Sequence, residues 1–89
     1  MRAVITVLGC DRVGIIAAVT AVLADSNANI LDISQTIVSD LFTMIMIVDL
    51  AAANVEFRAL QDKLTEKGKE LGMEIRLQRE DIFRSMHRI

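Results

Sequence analysis

Hydrophobic and polar positions along the chain predict four β-strands. Residues 2–9 and 41–50 are apolar on both faces, a pattern typical of strands in the middle of a sheet. Residues 30–38 and 73–79 alternate between apolar and polar positions. For residues 30–38 this one-sided polarity predicts either an edge strand or a strand with one solvent-facing side. The Ser-Asp pair at 39–40 separates two of these strands and predicts a two-residue hairpin turn.

Two segments have the spacing of helices. The first follows a polar bend and runs to about Asp25. The second, 55–71, has apolar residues that recur at helical spacing along one face. The apolar stripe of the second helix consists of Phe57, Leu60, Leu64 and Leu71. We expect the side chain of Asn54 to cap the start of this helix and Gly72 to end it.

The resulting β-α-β-β-α-β order predicts an α+β, ferredoxin-like fold: a four-stranded antiparallel sheet with both helices on one face and strands 1 and 3 central. The other face would then expose Val or Ile and Met residues unless something covers it. A second subunit could do so, and so could the tail at 80–89, where apolar spacing predicts a short helix. That stripe consists of Ile82, Phe83, Met86 and Ile89. We therefore divide the chain into a domain at 1–79 and a helical tail at 80–89.

Composition narrows the class of protein. The chain has 89 residues, enough for one domain, of which 53% are hydrophobic, with a mean hydropathy of +0.43. So much apolar material on so small a domain predicts burial against a partner, hence a homodimer or larger assembly. A net charge of −2 argues against direct binding of nucleic acid. A single cysteine and an N-terminus that begins directly with strand pattern favour the cytoplasm, and no apolar run reaches the ~18 residues of a membrane span.

The candidate site is the polar bend at 9–14, between the first strand and the first helix. Such a bend can offer backbone N–H groups and one acid, Asp11, to a small ligand. Asp11 has a second interpretation, as the N-cap of the helix. The helix that follows is expected to return the chain so that Asn29, at the start of the next strand, approaches Asp11. Gly14 would sit in the first helical turn, which suggests a close approach by ligand or backbone, or tight helix–sheet packing.

The bend and its neighbours resemble the ACT domain family. The resemblance lies in the run Val7-Leu8-Gly9-Cys10-Asp11-Arg12-Val13-Gly14-Ile15 and in Asn29-Ile30, which follows one helix later. Residues 32–36, 42–46 and 82–89 are similar to a subgroup of small stand-alone bacterial ACT proteins. A more distant likeness is to the repressor accessory protein of the glycine cleavage system, and the resemblance covers the whole chain.

This resemblance implies a small module that binds amino acids or similar effectors, usually at a dimer interface. It also implies that Asp11 and Asn29 contact the polar groups of the effector, and that Gly14 lets the helix approach closely. Some serine-binding members have a histidine two positions before the loop acid or amide, where this chain has Gly9, which argues against serine. The candidate binding residues are Gly9, Asp11, Arg12, Val13, Gly14, Ile15, Asn29 and Ile30.

The predicted function is therefore an amino-acid-sensing regulatory homodimer, with another regulatory protein as a further candidate partner. One alternative is a protein–protein interaction module whose ligand site is vestigial. An enzyme is the least favoured alternative, because the sequence offers no nucleophile–base pair, metal cluster or phosphate loop. No base is identifiable for Cys10, and His87 has no second metal-ligating residue near it in sequence. We accordingly assign no catalytic residue, metal or cofactor.

Overall fold

The elements follow the predicted order. The computed structural model describes residues 1–86. The four predicted strands and the first two predicted helices are present with their ends shifted by at most two residues, and the end of the predicted tail helix lies outside the described residues. The elements are β1 (Arg2–Cys10), α1 (Ile15–Asp25), β2 (Asn29–Val38), β3 (Leu41–Asp49), α2 (Phe57–Leu71), β4 (Glu74–Arg79) and α3 (Glu80–Met86).

The four strands form one antiparallel sheet in the order β2-β3-β1-β4. The prediction that the first and third strands are central is confirmed, and its basis was their apolar character on both faces. The two-residue turn at 39–40 is confirmed as well, since Val38 pairs with Leu41. Ser39 there has φ 60°, a left-handed conformation that most residues avoid. β2 is an edge strand, one of the two alternatives that its alternation predicted. Its apolar side is not buried, however: Ile33 and Ile37 are 41% and 51% exposed.

The core lies between the sheet and the two helices α1 and α2. Alternate residues of the central strands face it, and α1 and α2 contribute Ile15, Val19, Leu23, Leu60 and Leu64. Met44 and Met46 are fully buried in this layer, because their register partners Val7 and Ile5 also face the helices. The expectation that methionines would appear on the opposite, open face was therefore wrong.

Asn54 does not cap α2, contrary to the prediction. The helix begins at Phe57 after Glu56, and no side chain caps it. The Asn54 amide Nδ2 instead donates to the carbonyl of Asp25 at 3.0 Å, and its backbone N–H donates to the carbonyl of Ser26 at 3.0 Å. Asn54 thus satisfies carbonyls at the end of α1, a partner distant in sequence that local pattern does not reveal.

The C-terminus of α2 ends at Gly72 as predicted. Gly72 has φ 69°, a backbone conformation that glycine adopts without strain. The Gly72 N–H donates to the carbonyl of Lys69 at 3.4 Å, and the Met73 N–H donates to the carbonyl of Gly68 at 2.8 Å. These are the two hydrogen bonds of a Schellman motif. Within residues 1–86 no helix is both long and apolar enough to cross a membrane.

The short helix α3 lies on the open face of the sheet, as expected for the tail. Arg2 Nη2 and Glu80 Oε2 form an ion pair at 2.9 Å, and Val4 on that face is only 3% exposed. Phe83 is half-buried, whereas Ile82 remains 47% exposed. Phe83 rather than Ile82 therefore covers the sheet. The prediction for Met86 and Ile89 concerns side chains outside the described part of the chain.

Candidate functional site

The loop between β1 and α1 is fastened to two other parts of the molecule. The N–H of Asp11 donates to the carbonyl of Asp40 in the hairpin turn at 2.7 Å. Arg12 Nη1 donates to the carbonyl of Leu71 at 2.9 Å. Leu71 is the last residue of α2, where the helix dipole is negative, so the guanidinium stabilises that end. The loop is thereby tied to the β2–β3 hairpin on one side and to α2 on the other.

Gly9 and Gly14 are glycines for different reasons. A Cβ on Gly9 would lie 2.5 Å from Sδ of Met73 and 3.3 Å from the carbonyl oxygen of Gly72. Gly14 has φ 91°, and a Cβ there would meet nothing within 4 Å. A close approach by backbone and tight helix–sheet packing, two of the predicted explanations, are therefore wrong. The prediction that Gly14 lies in the first helical turn is wrong as well, since α1 begins at Ile15. Gly14 is the residue before α1, and its left-handed backbone is what requires glycine.

Asp11 does not cap α1, so its interpretation as the N-cap was wrong. Among residues 1–86 no side chain accepts a hydrogen bond from the first turn of this helix, and that turn contains no acidic residue. The first N–H groups of an α-helix have no partner within the helix. The Asp11 side chain is exposed, and the described residues give its carboxylate neither a hydrogen bond nor an ion pair. Free N–H groups and a free carboxylate thus occur within one loop.

An open depression of about 320 Å³ lies beside this loop. It runs between the first turn of α1 and the second half of β2, on the helix-facing side of the sheet. Ile15 and Phe42 form its buried floor, and Ile37 is 51% exposed at its rim. Its lining consists of Asp11, Arg12, Gly14, Ile15, Ile16, Ala17, Gln35, Ile37 and Phe42. Val13 does not line it and is 100% exposed.

Asn29 lies at the opposite end of the sheet from Asp11, contrary to the expectation that they would meet. Asn29 pairs with Asp49, and Asp49 pairs with Arg2 at the start of β1. The length of β1 therefore separates them, about 30 Å at 3.3 Å per residue. The physical reason is strand direction: β1 and β2 both run antiparallel to β3, so β2 begins where β1 begins. Ile30 is likewise at that end, half-buried against the core.

Sequence reasoning missed the contribution of β2 to the depression. The register places Ile33, Gln35 and Ile37 opposite Met46, Met44 and Phe42, on the helix-facing side. Gln35 is therefore the one polar residue between two isoleucines on that side of the strand. The sequence contained one signal of this contribution: Gln35 interrupts an otherwise apolar face of the strand.

The depression is part of a larger apolar surface, which we call the α1–β2 flank. Its exposed large hydrophobic residues are Val13, Ile16, Leu31, Ile33 and Ile37. Between Ile15 and Ala24, the only polar residue of α1 is Thr20, whose hydroxyl bonds back to the carbonyl of Ile16 at 2.8 Å. The outer edge of β2 pairs with no other strand of the sheet. Long apolar edges of this kind are rarely left uncovered in monomers.

The groups around this loop suit the binding of a small ligand. Among residues 1–86 no cluster of three or more His, Cys, Asp or Glu side chains is placed to hold a metal ion. Cys10 is exposed and lies on the open face of the sheet, because it follows Val4 by an even number of residues along β1. The depression combines free N–H groups, a carboxylate, an amide and apolar walls, and such a mixture suits a small amphipathic ligand.

Comparison with known proteins agrees with the fold and with the sequence resemblance. The family model described as "ACT domain" matches residues 2–78. The UPF0237 protein of Clostridium acetobutylicum is 54% identical over 89 residues, covering 100% of both chains. The structure of an ACT domain protein from Streptococcus pneumoniae has a TM-score of 0.81 and 37% identity, covering 93% of each chain. The regulatory subunit of aspartate kinase from Thermus thermophilus, in its ligand-free form, has a TM-score of 0.66 and 26% identity, with 86% of this chain and 50% of that one covered.

Proposed function

The chain belongs to the ACT domain family, and we propose that it is a regulatory module that senses a free amino acid as a homodimer. The observation that carries this proposal is the loop itself. The uncapped first turn of α1 and the unpaired carboxylate of Asp11 border one depression. A zwitterion presents one group of each charge at short separation, which matches this arrangement.

The two charged groups of an amino acid would bind at different points of the loop. Its carboxylate would accept hydrogen bonds from the free N–H groups at the start of α1, where the helix dipole also favours negative charge. Its ammonium would donate to Asp11, since hydrogen bonds between ionised groups are about twice as strong as neutral ones. The side chain would lie against Ile16 and Ile37, with the Gln35 amide able to donate or accept.

Asn29 and Ile30 enter the proposed site only through a second copy of the chain. Two β2 strands that pair antiparallel about a two-fold axis place the start of each beside the end of the other. The end of β2 is next to the loop, because Val38 pairs with Leu41 and Leu41 pairs with Cys10. Asn29 of the second copy would then approach Asp11. The unpaired edge of β2 and its exposed isoleucines support this mode of pairing.

A protein–protein interaction module with a vestigial ligand site is the second candidate function. The observation that favours it is the exposed α1–β2 flank, which could bind another regulatory protein instead of a second copy. The two functions differ in whether any amino acid binds. The similarity to the regulatory subunit of aspartate kinase supports the sensing function.

A thermal-shift screen with the twenty amino acids tests the sensing function. An amino acid at one hundred times its dissociation constant stabilises the folded protein by about 2.7 kcal/mol, which a melting curve detects easily. Asp11→Asn should then abolish most of that shift while leaving the melting temperature without ligand unchanged, because Asp11 caps no helix.

The matched control is Asp62→Asn, which removes one exposed carboxylate from α2, far from the loop. This variant should show the full ligand-induced shift. If no amino acid shifts the wild-type protein at millimolar concentration, the interaction module replaces the sensor. If Asp11→Asn binds as tightly as wild type, Asp11 is not part of the site.

A further inference from the structure

The open face of the sheet contains a second depression, remote from the amino-acid site. It has a volume of about 420 Å³ and lies between the central strands, β4 and α3. Phe83 of α3 borders it and also borders a smaller depression of about 160 Å³. The larger volume is within the range of sites for small molecules.

Its floor alternates hydroxyl and apolar side chains. Thr6 pairs with Ile45, and Leu8 pairs with Thr43, so the two threonines are diagonal neighbours on adjacent strands, about 7–8 Å apart. Leu8 and Ile45 are 42% and 40% exposed. The four side chains therefore form a checkerboard of two hydroxyl groups and two apolar groups on the central strands of the sheet.

The two hydroxyl groups are available to a ligand. Thr20 and Thr65 on the helices bond back to the carbonyls of Ile16 and Gln61, at 2.8 and 2.9 Å. Thr6 and Thr43 are half-buried on strands, and the described residues give their hydroxyl groups no hydrogen bond. Each can donate one hydrogen bond and accept others, so together they can hold a polar group above an apolar floor.

The wall formed by β4 carries no net charge. Arg76 Nη2 and Nε both donate to Oε1 of Glu74, at 2.6 and 3.0 Å. The pair lies beside the floor because Arg76 is opposite Thr6 and Glu74 is opposite Leu8. A charged ligand would lose hydration here without an unpaired opposite charge to replace it. A neutral ligand avoids that cost.

We propose that this depression is a second binding site, for a small uncharged molecule with a flat, single-ring body and a hydroxyl or carbonyl group. The ring of the ligand would lie on Leu8 and Ile45, beside Phe83. Its contact with the Phe83 ring would stabilise the complex in addition to the burial of apolar surface. The hydroxyl or carbonyl group would bond to the hydroxyl of Thr6. The site lies on the opposite face of the sheet from the loop, so the proposal stands independently of amino-acid sensing.

Phenol is the probe that tests this site. Its binding is monitored by NMR, through the backbone amide signals of the isotope-labelled protein in solution. Saturable shifts are expected at residues 6–8, 43–45 and 74–76. Thr6→Val keeps the shape of the side chain and its preference for strand but removes the hydroxyl, and it should weaken phenol binding about fivefold. Thr6→Ser keeps the hydroxyl and should bind phenol as wild type does.

Three controls make the result decisive. Thr36→Val removes a hydroxyl from the same face but on β2, outside the depression, and should leave phenol binding unchanged. Benzene lacks the hydroxyl, so its affinity should be the same for wild type and Thr6→Val. Benzoate, which carries a charge, should bind more weakly than phenol.

Two outcomes would overturn the proposal. One is phenol binding that does not saturate or that Thr6→Val leaves unaltered. The other is the appearance of the same amide shifts on dilution without any phenol, since a second copy of the chain would then be what covers this face.

Discussion

The two flanks of the molecule are built alike but have opposite surfaces. Each consists of one helix and the edge strand beside it: α1 with β2 on one side, α2 with β4 on the other. Eleven large hydrophobic side chains are exposed among the described residues. Five of them lie on α1 or β2 and none on α2 or β4; the five are Ile16, Leu31, Ile33, Ile37 and Val38. Although both flanks pack a helix on an edge strand, the α2–β4 flank has a polar surface and the α1–β2 flank has an apolar one. Only the apolar surface favours contact with a partner.

The edge strands show the same difference. β4 has six residues and carries charges, with Arg76 paired to Glu74 and Arg79 paired to Asp81. A short, charged edge resists pairing with another strand. β2 has ten residues, and Asp32 is the only charged one. A long, apolar edge favours such pairing, which is the basis of the proposed homodimer.

The helix ends also differ between the flanks. At the C-terminus of α2, Gly72 and Met73 satisfy two carbonyls and Arg12 satisfies a third. At the N-terminus of α1, no side chain in the described part of the chain accepts a hydrogen bond from the free N–H groups. The stabilised end belongs to the charged flank and the open end to the apolar flank. The features that stabilise the fold thus collect on α2 and β4, whereas the open helix end and the apolar edge that the proposed function uses lie on α1 and β2.

Ile37→Lys should have the largest effect, on assembly. A charge buried at the proposed interface without a partner is costly, so we expect dimer affinity to fall at least 100-fold, or about 2.7 kcal/mol. Sedimentation equilibrium measures it. Glu66→Lys, on the exposed face of α2, is the control and should assemble as wild type does. Equal assembly of all three proteins would show that the apolar flank is not the interface.

Gly68→Ala should have the next largest effect, on the charged flank. A Cβ at this position would lie 2.7 Å from the backbone oxygen of Met73, so α2 would have to move away from β4. Helix propensity alone predicts a gain of about 1 kcal/mol, whereas overpacking predicts a net loss of about 1–2 kcal/mol.

The sign of the change in unfolding free energy, measured by urea denaturation, decides between these two effects. Lys69→Ala, one residue further along the helix and exposed, should change stability little. A stabilised Gly68→Ala variant would mean that α2 and β4 are less tightly packed than the structure indicates.

Gly14→Ala should have the smallest effect, of about 1 kcal/mol. The space around Gly14 is open, so the cost comes from the left-handed backbone alone. Asn tolerates this conformation better than other residues, and Gly14→Asn should lose less stability than Gly14→Ala. Thermal denaturation of the two variants compares them directly. Equal losses would point to contact between the new side chain and the protein instead of backbone strain.

The sequence by itself determined the order of the elements and the arrangement of the sheet. Apolar character on both faces identified β1 and β3 as central, and alternation made an edge strand one of the two alternatives for β2. Gly72 and the turn at 39–40 were also predictable. These features depend on periodicity and on backbone preferences that act over a few residues, so a single sequence contains the necessary information.

Only the tertiary structure decided which residues meet. The parallel course of β1 and β2 placed Asn29 about 30 Å from Asp11, at 3.3 Å per residue, and packing of the loop at 50–56 gave Asn54 a partner on α1 instead of α2. The register of β2 brought Gln35 and Ile37 into the depression beside the loop. Such contacts depend on the direction in which each element crosses the sheet and on the register of its pairing, which hydrophobic periodicity along one chain does not specify.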